Sequence, residues 1–232
     1  QQPEPPWTIV EQLRNKYEVT AVGTDVNEIN DVDILIVVHP KNLPEQTQFA
    51  IDQFVLKGGR TIVCVDPHCI SDRPQRNPMQ MTVQNQNSSL DRLTRTWGLD
   101  MPVNTFAGDR ALALEASFSR NQRAEKIIGY LELTPKCFNH ENVITTNLNQ
   151  VQVLFAGVLK EIDTQAKAAE KPADANQTAA KTEEKPAIQR TPLVMTTDKG
   201  NAWKVASAFE LMFPDPGKMM DSFIDGTRPV AM

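Results

Sequence analysis

Three short stretches hold the residue types that do chemistry: His39-Pro40, Asp66-Pro67-His68-Cys69 and Cys137-Phe138-Asn139-His140-Glu141. The first two each follow directly on an apolar run. In open α/β sheets, ligands collect at the carboxyl ends of the strands. If the two runs are neighbouring strands, His39, Asp66 and His68 converge, with Cys69 beside them. Two imidazoles, a carboxylate and a thiol are the donors of a zinc-type site. The competing reading is local and is the stronger one. Asp before Pro starts a turn, and a strand-end histidine usually hydrogen-bonds backbone. No metal is therefore expected, and His39, Asp66 and His68 stand as candidate ligand-binding residues.

Other chemistries find little support. Nucleophilic hydrolases use Gly-x-Ser-x-Gly, or its Cys analogue, on a strand-to-helix turn; neither occurs. Cys64 lies inside an apolar run and reads as a small buried hydrophobe, with a bridge to Cys69 as the less favoured reading. Cys137 and His140 lie in an irregular polar stretch that reads as a surface loop. Neither Gly-x-Gly-x-x-Gly nor a Walker sequence is present, and with 10 glycines in 232 residues few backbone phosphate nests can form. No cofactor is expected. Trp97 and Trp203 sit on helical patterns and are expected in the core. Asp25, Glu28, Asp31 and Asp33 read as a solvated acidic loop.

The elements that position the candidate residues are better defined. Val32 to Val38 and Thr61 to Val65 are continuous apolar runs, not alternating ones. Strands apolar on both faces are characteristic of parallel sheets covered on both sides. Between them, Pro44 suits the first turn of a helix, and Ala50, Ile51, Phe54 and Val55 form one apolar stripe. Gly58 supplies the left-handed stop, and Gly59 the turn back. A right-handed strand–helix–strand crossover follows.

Around this unit, Trp7, Val10, Leu13 and Tyr17 predict a first helix, and Tyr17 to Val22 a strand. Ser71 to Asn87 is a long polar loop. Ser88-Ser89-Leu90-Asp91 has the form of a capping box opening a helix with Leu90, Leu93 and Trp97 on one face. Short strands are expected at 101–106, 112–118, 127–133 and 151–155, as a continuation of the sheet or a small β appendage. Pro192 to Thr196 reads as a returning strand and Ala202 to Phe213 as a helix.

Composition bounds the rest. The chain is 40% hydrophobic and 23% charged, with a formal net charge of -5. That balance, without a basic stripe, argues against nucleic acid as a partner. No run approaches eighteen apolar residues, so no membrane span is expected. From Thr164 to Ala187 there is no Val, Leu, Ile, Met or aromatic residue. Such a segment cannot offset the about 1–2 kcal/mol of backbone entropy lost per ordered residue, so it reads as a flexible insertion. The expected organisation is a linker over 1–6, an α/β domain over 7–163, the insertion over 164–190, and a returning strand and helix over 191–232. Gln1-Gln2-Pro3-Glu4-Pro5-Pro6 at one end, and a strand beginning near Met232 at the other, suggest a fragment of a longer protein.

The chain resembles the GldG-like auxiliary, substrate-binding-like subunit of gliding-motility-type ABC transport systems. The resemblance is carried by the run from Asp33 to Leu43, the run from Ala50 to Gly59, and Val65-Asp66-Pro67. Ser89-Leu90-Asp91, Trp97-Gly98-Leu99 and Thr191-Pro192-Leu193 agree with it. It implies a flavodoxin-like, glutamine-amidotransferase-like domain with a largely parallel sheet and no catalytic residues. It also implies the periplasmic face of a bacterial inner membrane, an anchor outside this segment, and an ABC permease and ATPase as partners. Three cysteines are awkward for an oxidising compartment.

The expected function is thus a non-catalytic extracytoplasmic accessory domain that binds a protein partner or an unknown extracytoplasmic ligand. Two other readings compete. One is an amidotransferase-like or hydrolase enzyme using Cys64, Cys69 or Cys137. The other is a glycan- or cell-wall-binding module, disfavoured by an aromatic content of 6%.

Overall fold

The strand–helix–strand run is present in the computed structural model, which describes residues 7–72, 86–117, 123–162, 188–207, 209–212, 214–223 and 229–232. The 1–6 linker, nearly all of the Ser71–Asn87 loop, Phe118 and the 164–187 insertion lie outside the described residues. The chain divides into two compact units, residues 1–36 with 42–62 and residues 37–41 with 63–232.

In the first unit, helix α1 (Thr8–Arg14) buries none of its residues, and Trp7 and Tyr17 beside it are exposed. Tyr17 to Val22, expected as a strand, form no regular element. Helix α2 (Glu45–Leu56) begins after Pro44 and buries Thr47, Ala50, Ile51 and Phe54. Three residues of the predicted stripe, Ala50, Ile51 and Phe54, are thus buried, Val55 is half-buried, and Thr47 extends the buried face one turn earlier. The Thr47 hydroxyl donates to the Thr24 carbonyl and accepts from the Val26 amide, both at 3.1 Å. Those bonds satisfy a buried polar group. Gly58 closes the helix at φ +89°, a conformation that costs a glycine little.

Strands β1 (Ile34–Val38) and β2 (Arg60–Cys64) pair as a short parallel sheet. The expectation that both faces are covered is not met. Leu35 is buried, but Ile34, Ile36 and Val38 on β1, and Ile62 and Cys64 on β2, are exposed among the described residues. A continuous apolar run shows that burial on both faces is tolerated; only a second layer supplies it.

The second unit carries α3 (Asp91–Thr96), β3 (Leu99–Asp100), β4 (Thr105–Asp109), β5 (Ala113–Ala116), β6 (Glu125–Leu133), β7 (Val151–Leu154), β8 (Lys160–Glu161), β9 (Gly200–Lys204), α4 (Phe209–Met212) and α5 (Pro216–Asp221). The strand pairs are antiparallel: β3 with β8, β4 with β9, and β5-β6-β7 in that order. Of the short strands expected between 101 and 155, those at 112–118, 127–133 and 151–155 are there with shifted ends, while 101–104 form no strand and the one expected over 101–106 begins only at Thr105.

Three expectations fail here, each for a tertiary reason. The segment from 200 to 204 is a strand, in register from Thr105↔Lys204 to Asp109↔Gly200, where a helix from Ala202 was expected. Among the described residues of that span, helix appears at Phe209–Met212. Trp203 is fully buried on that strand, with its ring centroid 5.3 Å from Phe106 and 6.0 Å from Phe155. Strand β6 packs closely against these rings: a side chain at Gly129 would put Cβ 2.7 Å from Phe155 and 2.8 Å from Trp203. The returning strand after Pro192 reduces to single bridges, Val194 to Phe138 and Met195 to Ala231. The predicted capping box is absent. Leu90 occupies the cap of α3 with no side-chain bond, because the Ser88 hydroxyl is engaged elsewhere.

Candidate functional site

Within the second unit, the ends of β1 and β2 lie side by side, joined by the His39 amide donating to the Cys64 carbonyl at 2.9 Å. His39 leaves β1 with φ +47°, a left-handed turn uncommon for a residue with a Cβ. The segment from Gln86 to Ser89 is stitched onto both ends. Ser88 N–H donates to the Asp66 carbonyl, Ser89 N–H to the Pro40 carbonyl, and Cys69 N–H to the Gln86 carbonyl, each at 2.8 Å.

A side-chain relay runs through this junction. Ser88 Oγ accepts the Asp66 amide at 2.8 Å and lies 3.1 Å from His39 Nδ1. In the tautomer that carries its proton on Nε2, the Ser88 hydroxyl donates to Nδ1 and Nε2 donates to Asp72 Oδ2, 3.3 Å away. Lys41 Nζ donates to the same oxygen at 2.5 Å. The order Ser88–His39–Asp72 has the polarity of a nucleophile, a base and an orienting carboxylate. However, Ser88 is 1% exposed and its oxygen already holds a backbone amide. The arrangement serves as a latch that ties the buried Ser88 hydroxyl to the half-buried His39, Asp72 and Lys41.

Of the candidate residues, His39 is in this relay, while Asp66 and His68 form the turn beside it. Asp66 Oδ1 accepts the His68 amide at 2.8 Å, the local turn that Asp-Pro suggested. Burial raises the Asp66 carboxyl above the ordinary carboxylate range, against the His68 amide and the nearby imidazoles of His39 and His68. Burial also lowers the His68 ring below the ordinary histidine value, opposed by the Asp66 charge. Asp72 is lowered, chiefly by the hydrogen bond from Lys41, with His39 adding to it. Among the described residues, no group of three or more His, Cys, Asp or Glu side chains is arranged to hold a metal ion.

Lys41, Asp72 and Ser88 were not singled out from sequence. Ser88 was visible there as a helix cap, but its partner is 49 residues away. The cysteines are all free: Cys64 is exposed, not buried, Cys69 is half-buried and unbridged, and Cys137 is buried. Cys137 and His140 form no pair. The His140 ring faces two backbone carbonyls, Pro135 at 2.8 Å and Thr146 at 3.2 Å. Of the acidic loop residues, Glu28 meets Lys57 at 3.3 Å, and Asp25 accepts a hydrogen bond from Gln46.

A groove of about 430 Å³ adjoins the junction. Val63, Cys64, Val65 and Asp66 line one wall, and Val153 and Leu154 on β7 contribute to another. Among the described residues of its lining, Asp66 is the charged one.

The molecule is thus a mixed α/β protein with an internally closed polar junction and an apolar groove beside it. Its family is shown directly: the chain belongs to the family described as "ABC-type uncharacterized transport system", which matches residues 1–232. It is an auxiliary component of an ABC-type transport system. No curated protein and no solved structure matches the chain significantly.

Proposed function

We propose that this chain is a non-catalytic, extracytoplasmic accessory domain of its transport system, acting by binding a protein partner, and that it is GldG-like. Family membership over the whole chain carries the reading. The junction is compatible with it, since the Ser88–His39–Asp72 relay ends on a buried hydroxyl. The parallel β1–α2–β2 crossover is the unit from which flavodoxin-like sheets are built, and we take the larger fold to be of that kind. None of the described helices is long and apolar enough to cross a membrane. The partners are an ABC permease and ATPase on the periplasmic side of the inner membrane.

Mild crosslinking of the full-length protein in its native membranes tests this reading. Recovery of a permease and an ATPase subunit is the expected result. Recovery of the protein alone, or with soluble metabolic enzymes, overturns it.

A further inference from the structure

Two strand edges border the groove, and the ladders on their other sides show which backbone groups reach it. In β7, the Phe155 amide donates to the Gly129 carbonyl at 2.7 Å, and Val153 pairs with Leu131. Backbone groups alternate along a strand, so Val151, Val153 and Phe155 face β6, while Gln152 and Leu154 point N–H and C=O to the open side. Among the described residues, β7 is the terminal strand of its sheet. In β2, Cys64 accepts from His39 on the β1 side. By the same alternation, Val63 and Val65 direct their backbone groups away from β1. Val63, Val65 and Leu154 all line the groove. An edge strand with free donors and acceptors is a template for another extended chain.

We propose that the groove binds an extended segment of a partner polypeptide, added as a strand, with apolar side chains at alternate positions and one Lys or Arg opposite Asp66. Main-chain bonds to the strand edges provide affinity, and side-chain pockets provide selectivity, as in other strand-addition interfaces. The basic residue follows from charge. Asp66 is the sole charged group among the described lining residues, and the chain as a whole carries a net charge of -5. Apolar positions follow from Val63, Val65, Leu154, Met101 and Leu159 around it. This rests on the partner-binding reading above and specifies the form the partner takes there.

The test uses the full-length protein and a display library of random short peptides. The expected enrichment is an alternating apolar motif with one Lys or Arg. Asp66→Asn keeps the acceptor for the His68 amide and removes the charge; it should weaken the selected peptide about tenfold. Leu154→Arg, on an exposed edge position, should do so at least as strongly. Both variants should melt with the wild type. N-methylation along the peptide should abolish binding at alternate positions only, which a purely apolar contact does not predict. Bound peptide should also slow alkylation of Cys64. Failure to enrich any motif, or binding that neither variant changes, overturns the groove assignment and leaves the transport role standing. A motif recovered here without ABC subunits in the membrane crosslinking overturns the proposed permease and ATPase partnership and leaves the groove.

Discussion

Asp109 and Thr197, 88 residues apart in sequence, are joined by two hydrogen bonds to one carboxylate oxygen. Thr197 donates its amide at 2.8 Å and its hydroxyl at 2.6 Å to Asp109 Oδ2. The other oxygen accepts the amides of Ala111 at 2.8 Å and Leu112 at 3.2 Å. Asp109 itself is fully buried. The carboxylate thereby fixes the turn after β4 and the approach to β9 at once. Asp109→Ala removes the acceptor shared by four donors, of which the Leu112 amide belongs to a buried residue and the two of Thr197 to a half-buried one; a buried donor left unpaired costs about 1–3 kcal/mol. The variant should unfold at markedly lower denaturant, with Asp109→Asn between it and the wild type. Urea titration followed by circular dichroism reads the difference.

Trp203→Ala should be among the most destabilising single changes. Its ring is fully buried against Phe106 and Phe155, and its Nε1 donates to the Ala107 carbonyl at 3.3 Å. Large aromatic truncations of this kind cost about 3–5 kcal/mol. Trp203→Phe keeps most of the contact and should recover part of the loss. A change no larger than that of an exposed control such as Val143→Ala would contradict the packing described.

Stability should fall as pH drops through the histidine range. The folded His68 ring binds its proton less readily than the unfolded one, because burial penalises the charged form. Below the ordinary histidine value the unfolded chain takes up protons that the folded chain refuses, so folding weakens until pH passes the lower folded value. His68→Gln should flatten this part of the pH–stability curve. An unchanged slope would place the proton linkage on another group.

A second pH effect has its window lower. Lys41 and His39 hold Asp72 below the ordinary carboxylate range. The stability this pair contributes is present above the ordinary value and is lost as pH falls through the depressed one. Lys41→Met removes the largest cause and should move the acid transition to higher pH. Ser88→Ala, which leaves the Asp66 amide and His39 Nδ1 without their shared partner, should cost about 1–3 kcal/mol across the neutral range.

Thiol chemistry separates the three cysteines. Cys64 is exposed and should react with a maleimide in the native protein, whereas buried Cys137 should react only on unfolding. Peptide mass spectrometry after timed labelling distinguishes the two. Rapid native labelling of Cys137 would mean that the cluster of Leu112, Leu131, Leu133 and Phe138 around it opens readily.

What the sequence determined by itself is local. The Pro44 entry, the Ala50–Ile51–Phe54 stripe and the Gly58 stop specify α2 because each acts within a turn or two of its neighbours. The apolar runs of β1 and β2, and the strand patterns of β6 and β7, were legible for the same reason. The Asp66 turn was legible too, since its partner is the amide of His68. Everything that needed a partner far along the chain was decided by tertiary structure. Ser88 reads locally as a helix cap, but the chain brings it to His39 and Asp66, and those bonds take its hydroxyl first. The stretch around Trp203 reads locally as helix, but five residue pairings with β4 and the burial of one indole outweigh propensities that differ by less than about 1 kcal/mol per residue. The open side of β1 and β2 is the same lesson in reverse. Residue type sets what a face tolerates, and only the packing of distant segments decides whether that face is covered.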